Sequence, residues 1–226
     1  IKALVIACNT ATAAAVEVLR AEMPQLPLIG VEPALKPASL SSQTHHVGVI
    51  GTRGTVTSQR FARLHGPHAL QTRFHVQACD GLARAIELGT ALPANDAASV
   101  HDIHSLCARY TQALGAFGVK TGQIDTLVLG CTHYVFAKDA LRALLGPEVQ
   151  LIDTGAPVAR QTRRMLDKAR TLAPEPATAD AALAGAAHIQ LLTTGSLAAL
   201  QSAAQRWLDL PARCCAHASV PLETVQ

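Results

Sequence analysis

The sequence predicts an α/β fold of two similar lobes, each a mainly parallel sheet flanked by helices, with the active site in the cleft between them. Three observations carry that expectation. Short apolar runs alternate with helix-length segments along the chain, which is the pattern of βαβ units. Hydrophobic residues make up 49% of the 226 residues and aromatic residues only 3%, so Ala, Leu and Val must fill a core of helices packed on a sheet. Finally, "LVIACNTA" (Leu4 to Ala11) and "LVLGCTHY" (Leu127 to Tyr134) repeat one grammar about half the chain apart: apolar run, small residue, cysteine, polar pair.

Taken in order, "ALVIA" (Ala3 to Ala7) reads as a strand, Thr10 to Met23 as a helix stopped at Pro24, and "LPLIGVE" (Leu26 to Glu32) as a second strand. Next come a strand at "HVGVIGT" (His46 to Thr52), a helix over Val56 to His65, a strand at "RFHVQAC" (Arg73 to Cys79) and a helix over Gly81 to Leu88. A longer helix, Ala97 to Phe117, leads into a strand at "DTLVLG" (Asp125 to Gly130). A helix over Val135 to Leu145 then leads into a strand at "VQLID" (Val149 to Asp153). After a helix over Ala156 to Ala169, the Pro- and Ala-rich Thr171 to Ala186 reads as a linker. The strand "HIQLLTTG" (His188 to Gly195), a helix over Ser196 to Leu208 with Ser196 as N-cap, and a loose tail complete the chain. The predicted division is a discontinuous first lobe, residues 1–35 with 156–226, and a second lobe, residues 36–155.

A net charge of +3, from 19 basic and 16 acidic residues spread along the chain, gives no reason to expect a nucleic-acid partner. The longest stretch without formal charge, Ala181 to Gln205, is broken by polar residues and does not read as a membrane span. Six cysteines without compact framework spacing point to a reduced, cytoplasmic compartment. No metal is expected: there is no CxxC pair, and His101 and His104 read as solvated helix positions. "GTRGT" (Gly51 to Thr55) lacks the Gly-Lys-Ser/Thr ending of a phosphate loop and reads as a carboxylate-contacting or structural turn. Opening directly on a strand without Met, the chain is expected to lack residues that precede Ile1.

A single cysteine at a strand end is more often packing than chemistry, because free Cys is among the most buried residue types. Cys79 and Cys107 are read that way, and the vicinal Cys214 and Cys215 receive no role. Cys8 and Cys131 differ, because each sits between a strand and a helix, where backbone N–H groups and the helix dipole favour an anion. Facing each other across a cleft, one thiolate could take a proton from a carbon while the opposite thiol returns one to the other face. No lysine stands in a recognisable cofactor context, so no cofactor is expected and fixed donors must stabilise the carbanion; Asn9, Thr10, Thr132 and His133 are placed for that.

"ACNTA" (Ala7 to Ala11) with "LVLGCTHY" resembles the glutamate racemase family, as do "GVEPALKPA" (Gly30 to Ala38), "VGVIGTRGTVTS" (Val47 to Ser58), "QACDGLARAIELG" (Gln77 to Gly89) and "LLTTG" (Leu191 to Gly195). The resemblance implies cofactor-independent, two-base interconversion of L- and D-glutamate in a bacterial cytoplasm, supplying D-glutamate for peptidoglycan. It implies that Cys8 acts on D-glutamate and Cys131 on L-glutamate. Asn9, Thr10, Thr132 and His133 would hold the substrate, His133 would assist Cys131, Thr52 and Thr55 would add contacts, and Glu87 would orient the histidine. A homodimer is implied as a partner arrangement. The family's Asp-Ser-Gly and Pro-Tyr-Gly elements would precede Ile1, in an expected missing segment comparable to a minimal domain of roughly sixty residues. Val135 and Phe61 depart from the family's Pro and Tyr without removing a reacting group. Two alternatives stay open: a related racemase or decarboxylase acting on aspartate, hydantoin or another small carboxylate, and an inactive module that only binds glutamate.

Overall fold

The sequence writes its two most apolar strands without alternation, and both become central. In a computed structural model that describes residues 1–90, 92, 96–174 and 189–219, the first elements are β1 (Leu4–Ile6), α1 (Asn9–Glu22), β2 (Leu28–Gly30) and α2 (Leu35–Ser41). They are followed by β3 (His46–Gly51), α3 (Arg53–Val56), α4 (Gln59–His65), β4 (Arg73–Ala78), α5 (Leu82–Thr90), α6 (Ala97–Leu114) and β5 (Thr126–Gly130). After β5 come α7 (Lys138–Leu145), β6 (Gln150–Ile152), α8 (Gly155–Lys168), β7 (Leu191–Thr193), α9 (Leu197–Leu208) and β8 (Cys215–His217).

A four-stranded parallel sheet has the order β4-β3-β5-β6. β5 is buried along its whole length, as a central strand covered on both faces requires. Successive side chains alternate between those faces. Ile50, Leu127 and Leu129 join Leu82, Ile86, Leu114 and Leu141 on one side, while Val47, Val49 and Val128 join Leu35, Ala38 and Phe61 on the other. Truncating a fully buried Leu such as Leu127 to Ala costs about 2–5 kcal/mol. β1 and β2 form a separate parallel pair in the register Leu4↔Leu28 to Ile6↔Gly30.

Each strand expected from the sequence is present, while three helical readings and the tail need correction. The helix expected over Val56 to His65 is interrupted, because the Ser58 hydroxyl accepts from Phe61 N at 3.0 Å and caps a new helix. α6 stops at Leu114, where Gly115 takes φ +126, a conformation a side chain would resist. Thr132–Ala137 is a 3₁₀ helix ahead of α7. The loose tail is ordered in part: Ala212–Cys214 forms a 3₁₀ turn, and β8 runs parallel to β7 with Leu191 opposite Cys215. α2 is unanticipated because Pro37 reads as a breaker, yet proline is tolerated in a first turn whose N–H groups lack intrahelical partners. Most of the expected linker, from residue 175 onward, and His188 lie outside the described residues.

The chain divides into two compact units, Ile1–Ile86 with Ala97–Leu172, and Glu87–Asp96 with Ala173–Gln226. Within the second, Arg206 Nη1 donates to the carbonyls of Gly89 at 2.7 Å and Leu92 at 3.1 Å, serving carbonyls that a helix end leaves without partners. Trp207 Nε1 donates to Thr90 Oγ1 at 3.3 Å. Among the described residues, no helix is long and apolar enough to cross a membrane.

Candidate active site

Cys8 follows β1 and caps α1. Its extended backbone turns the thiol back over the helix, where Sγ accepts from Ala11 N at 3.5 Å. Thr12 fixes this turn from beneath: fully buried, its hydroxyl donates to Ile6 O at 3.2 Å and accepts from Val31 N at 3.1 Å. Gly30 makes the approach possible, since a Cβ there would lie 2.5 Å from Thr12 Cγ2. Beside the exposed Cys8 stands Asn9, 4% exposed, with neither Nδ2 nor Oδ1 hydrogen-bonded among the described residues. Burying an unmatched polar group costs about 1–3 kcal/mol, so this amide calls for a role.

Thr10, one residue further, joins α1 to the end of β3. Its hydroxyl lies 2.8 Å from Thr52 Oγ1 and 3.1 Å from Thr55 Oγ1, and these two are 2.9 Å apart. Thr52 also caps α3 by accepting from Thr55 N at 3.3 Å. Gly54 lets the two helices meet, because a Cβ there would stand 3.1 Å from Thr10 Cγ2. Gly51 pairs in register with Gly130, so Thr52 and Cys131 leave neighbouring strands at the same level. That approach is tight: a Cβ on Gly130 would be 2.7 Å from Ile50 O.

Cys131 is 7% exposed, and its Sγ lies 3.8 Å from His133 Nδ1. Thr132 and His133 are half-buried in the 3₁₀ helix that follows. Tyr134, fully buried, donates its hydroxyl to Cys79 O at 3.3 Å, and burial raises its phenol far above the ordinary value. Burial likewise pushes the thiols of Cys79 to about 12 and Cys107 to about 11. Both stay protonated at neutral pH, as packing residues do.

Of the residues singled out in the sequence, Thr10, Thr52 and Thr55 share hydrogen bonds, Cys8 and Asn9 directly precede Thr10 in the chain, and Cys131 leaves the strand beside that of Thr52 with its sulfur near His133 and Thr132 between the two. Glu87 is exposed on α5 and falls in the other unit. A hollow of about 600 Å³ lined by Arg20, Leu28, Gly30, Arg60 and Met165 holds none of these groups. Among the described residues, no three His, Cys, Asp or Glu side chains are grouped to hold a metal ion. Sequence reading passed over Asp80, whose carboxylate pairs with the Arg53 guanidinium. Its position just beyond β4 was the available signal, because ligands of open α/β sheets gather at strand C-termini.

Residues 1–162 match the family described as Asp/Glu/Hydantoin racemase. The chain belongs to that racemase family. It is 46% identical over 178 residues to a glutamate racemase of Ectopseudomonas mendocina, covering 79% of this chain and 63% of the relative. With a glutamate racemase of Pseudomonas syringae pv. tomato it shares 44% identity over 176 residues, covering 78% of this chain and 60% of the relative. The racemase-family chain therefore spans about six-tenths of the length of the curated relatives it matches. A glutamate racemase isoform from Bacillus anthracis superposes with a TM-score of 0.73 at 28% identity, over 98% of this chain and 74% of that one. The Francisella tularensis glutamate racemase, solved in complex with D-glutamate, shares the fold at a TM-score of 0.71 and 22% identity, over 97% of this chain and 74% of that one. The resemblance read from the motifs is thus a family relationship, and the expected α/β architecture of parallel sheets flanked by helices is the one this racemase-family chain has.

Chemically, the assembly offers two thiols at strand ends, a ring of three hydroxyls whose mutual contacts can take up all three of their protons, and an amide whose donor and acceptor are both unused among the described residues. Donors fixed before a substrate arrives suit a site where negative charge develops, since they need no reorganisation at the moment of reaction.

Proposed function

We propose that this racemase-family protein is an isomerase that interconverts L- and D-glutamate without a cofactor, with Cys8 and Cys131 as its two bases. In this reading the Cys131 thiolate removes the α-proton of L-glutamate while the Cys8 thiol delivers its proton to the opposite face, giving D-glutamate, a Cys131 thiol and a Cys8 thiolate. The reverse reaction exchanges the roles. Asn9, Thr10 and Thr132 hold the substrate and its developing charge, Thr52 and Thr55 add substrate contacts, and His133 exchanges a proton with Cys131. Glu87 orients His133. The lobes of this reading are residues 1–35 with 156–226 and residues 36–155, with the substrate between them. D-Glutamate for peptidoglycan in a bacterial cytoplasm is the product's use, and a homodimer is the assembly.

The observation that carries the reading is the buried amide of Asn9, which follows Cys8 and precedes Thr10 in the chain and has no hydrogen-bond partner among the described residues. It supports a carboxylate-bearing ligand at that point, because an amide N–H₂ supplies donors and a carboxylate is acceptor-only. The test is proton NMR of L- and D-glutamate incubated separately with the protein in deuterated water, followed by chiral analysis. Loss of the α-proton signal with appearance of the opposite enantiomer is expected from both substrates. No exchange from either one overturns the reading and leaves glutamate binding without turnover, a module in place of an enzyme, which the chain's six-tenths coverage of its relatives makes the reading to test next by titration.

A further inference from the structure

We propose that Arg53 and Asp80 form a clasp that positions the threonine turn of the active site and so sets how tightly substrate is held; this rests on the racemase reading above. α3 is four residues long, too short to hold itself as an isolated helix, and it carries Thr52 at its cap and Thr55 within it. Its place depends on what it is tied to. At one end is the hydroxyl of Thr10. Beside that cap is Arg53, the first residue of the helix and directly after Thr52, whose guanidinium Nη2 pairs with Asp80 Oδ2.

Asp80 is a firm anchor because the Cys79–Asp80 backbone is tied at three points. Cys79 N donates to Gly51 O at 2.8 Å, Tyr110 Oη donates to Asp80 O at 2.6 Å, and Tyr134 Oη donates to Cys79 O at 3.3 Å. Tyr110 and Tyr134 are 8% and 0% exposed. Tyr134 stands in the same 3₁₀ helix as Thr132 and His133, three residues after Cys131. The Cys79–Asp80 peptide therefore ties the turn that bears Cys131 to the turn that bears Thr52, and the ion pair is the last link.

The pair itself is exposed, with 66% and 55% of the two side chains accessible, and exposed pairs add little to stability. Its effect falls on position. Hydroxyls that touch substrate in both ground and transition states contribute uniform binding, so a displaced threonine turn raises KM and leaves kcat nearly unchanged.

The test is steady-state racemisation by wild type, Asp80→Asn, Arg53→Gln and the swapped double variant Arg53→Asp with Asp80→Arg, each at low and high ionic strength. The expected result is a KM about fivefold higher in each single variant with kcat within about twofold, most of that loss recovered in the swap, and thermal midpoints unchanged. Salt should raise the wild-type KM toward that of the single variants, because an exposed pair is screened. A structural contribution alone would move the midpoint and show neither rescue nor salt dependence. Unchanged KM in the single variants of an active enzyme, or a swap that rescues nothing, overturns the clasp. A wild type that turns over neither enantiomer overturns the racemase reading instead, and the calorimetric Kd for glutamate then replaces KM as the readout; absence of binding as well overturns both.

Discussion

Cys8 and Cys131 occupy the same position in two matched stretches of sequence and quite different surroundings in the fold. Cys8 is exposed, leaves a two-stranded sheet and caps a 14-residue α-helix whose third residue donates to its sulfur. Cys131 is buried, leaves the wholly buried central strand of a four-stranded sheet, and heads a six-residue 3₁₀ helix with no cap bond to its side chain. Its sulfur faces an imidazole nitrogen. One thiol is thus served by helix N–H groups and an axial dipole, the other by an acid–base partner. The proposed two-base reaction asks both groups to give and take protons, and the two thiols would do so with unlike devices.

The largest effect should come from removing either thiol. Cys8→Ala and Cys131→Ala should each lower racemisation by about 10³-fold or more, the upper part of the range for a lost acid–base group; chiral chromatography of the product measures it, and a normal rate in either variant breaks the pairing. Next is Asn9→Ala, expected to lower kcat/KM by about 10²-fold, the loss typical of one fixed donor. Its thermal midpoint should hold or rise, because the amide it removes is buried without a partner in the folded chain. A large drop in midpoint would mean that Asn9 is structural and that the Cys8 side lacks its substrate donor.

The contrast between the two cysteines also marks how far the sequence could be read. Both strand–cysteine–helix turns were legible because period and motif are local: apolar runs, a small residue, then polar caps. Thr10, Thr52 and Thr55 could be named from the family resemblance, but not their closed ring, which depends on Gly54 admitting Thr10 and on Gly51 meeting Gly130. The 3₁₀ geometry after Cys131 was illegible, since Val135 to Leu145 reads as one continuous helix. Asp80 was passed over for a similar reason. Its partner is 27 residues away, and only the strand order places β4 beside β3. Parallel β7–β8 pairing lay in a segment with too weak a pattern to read.

A third prediction concerns the sheet beneath Cys131. Asp125, 4% exposed, stands just before β5 and accepts from Ser42 Oγ at 2.6 Å, Gln43 N at 2.7 Å, Thr44 N at 3.0 Å and Thr126 Oγ1 at 2.9 Å. Burial alone would raise its carboxyl, but these donors outweigh burial and hold it below the ordinary value. Its stabilisation is therefore complete above the unfolded value near 3.9 and is lost as pH falls through the folded one. Asp125→Asn should cost about 1–3 kcal/mol at neutral pH and flatten the acid limb of a denaturation series. An unchanged acid limb would mean that the Cys131 sheet does not depend on this carboxylate.

The smallest expected effect tests the contrast most directly. Iodoacetamide should modify Cys8 at least about tenfold faster than Cys131, since a buried thiol reacts only through local opening, and peptide mass spectrometry resolves the two. Half-buried Cys214 should fall between them, while the buried Cys79, Cys107 and Cys215 should trail. Saturating D-glutamate should slow Cys8 and leave Cys214 alone if the substrate sits against the Asn9 amide. Equal rates at Cys8 and Cys131 would mean that the central sheet opens as readily as the edge pair, and the difference between the two surroundings would then lie in their partners, the helix cap and the imidazole, with burial contributing nothing.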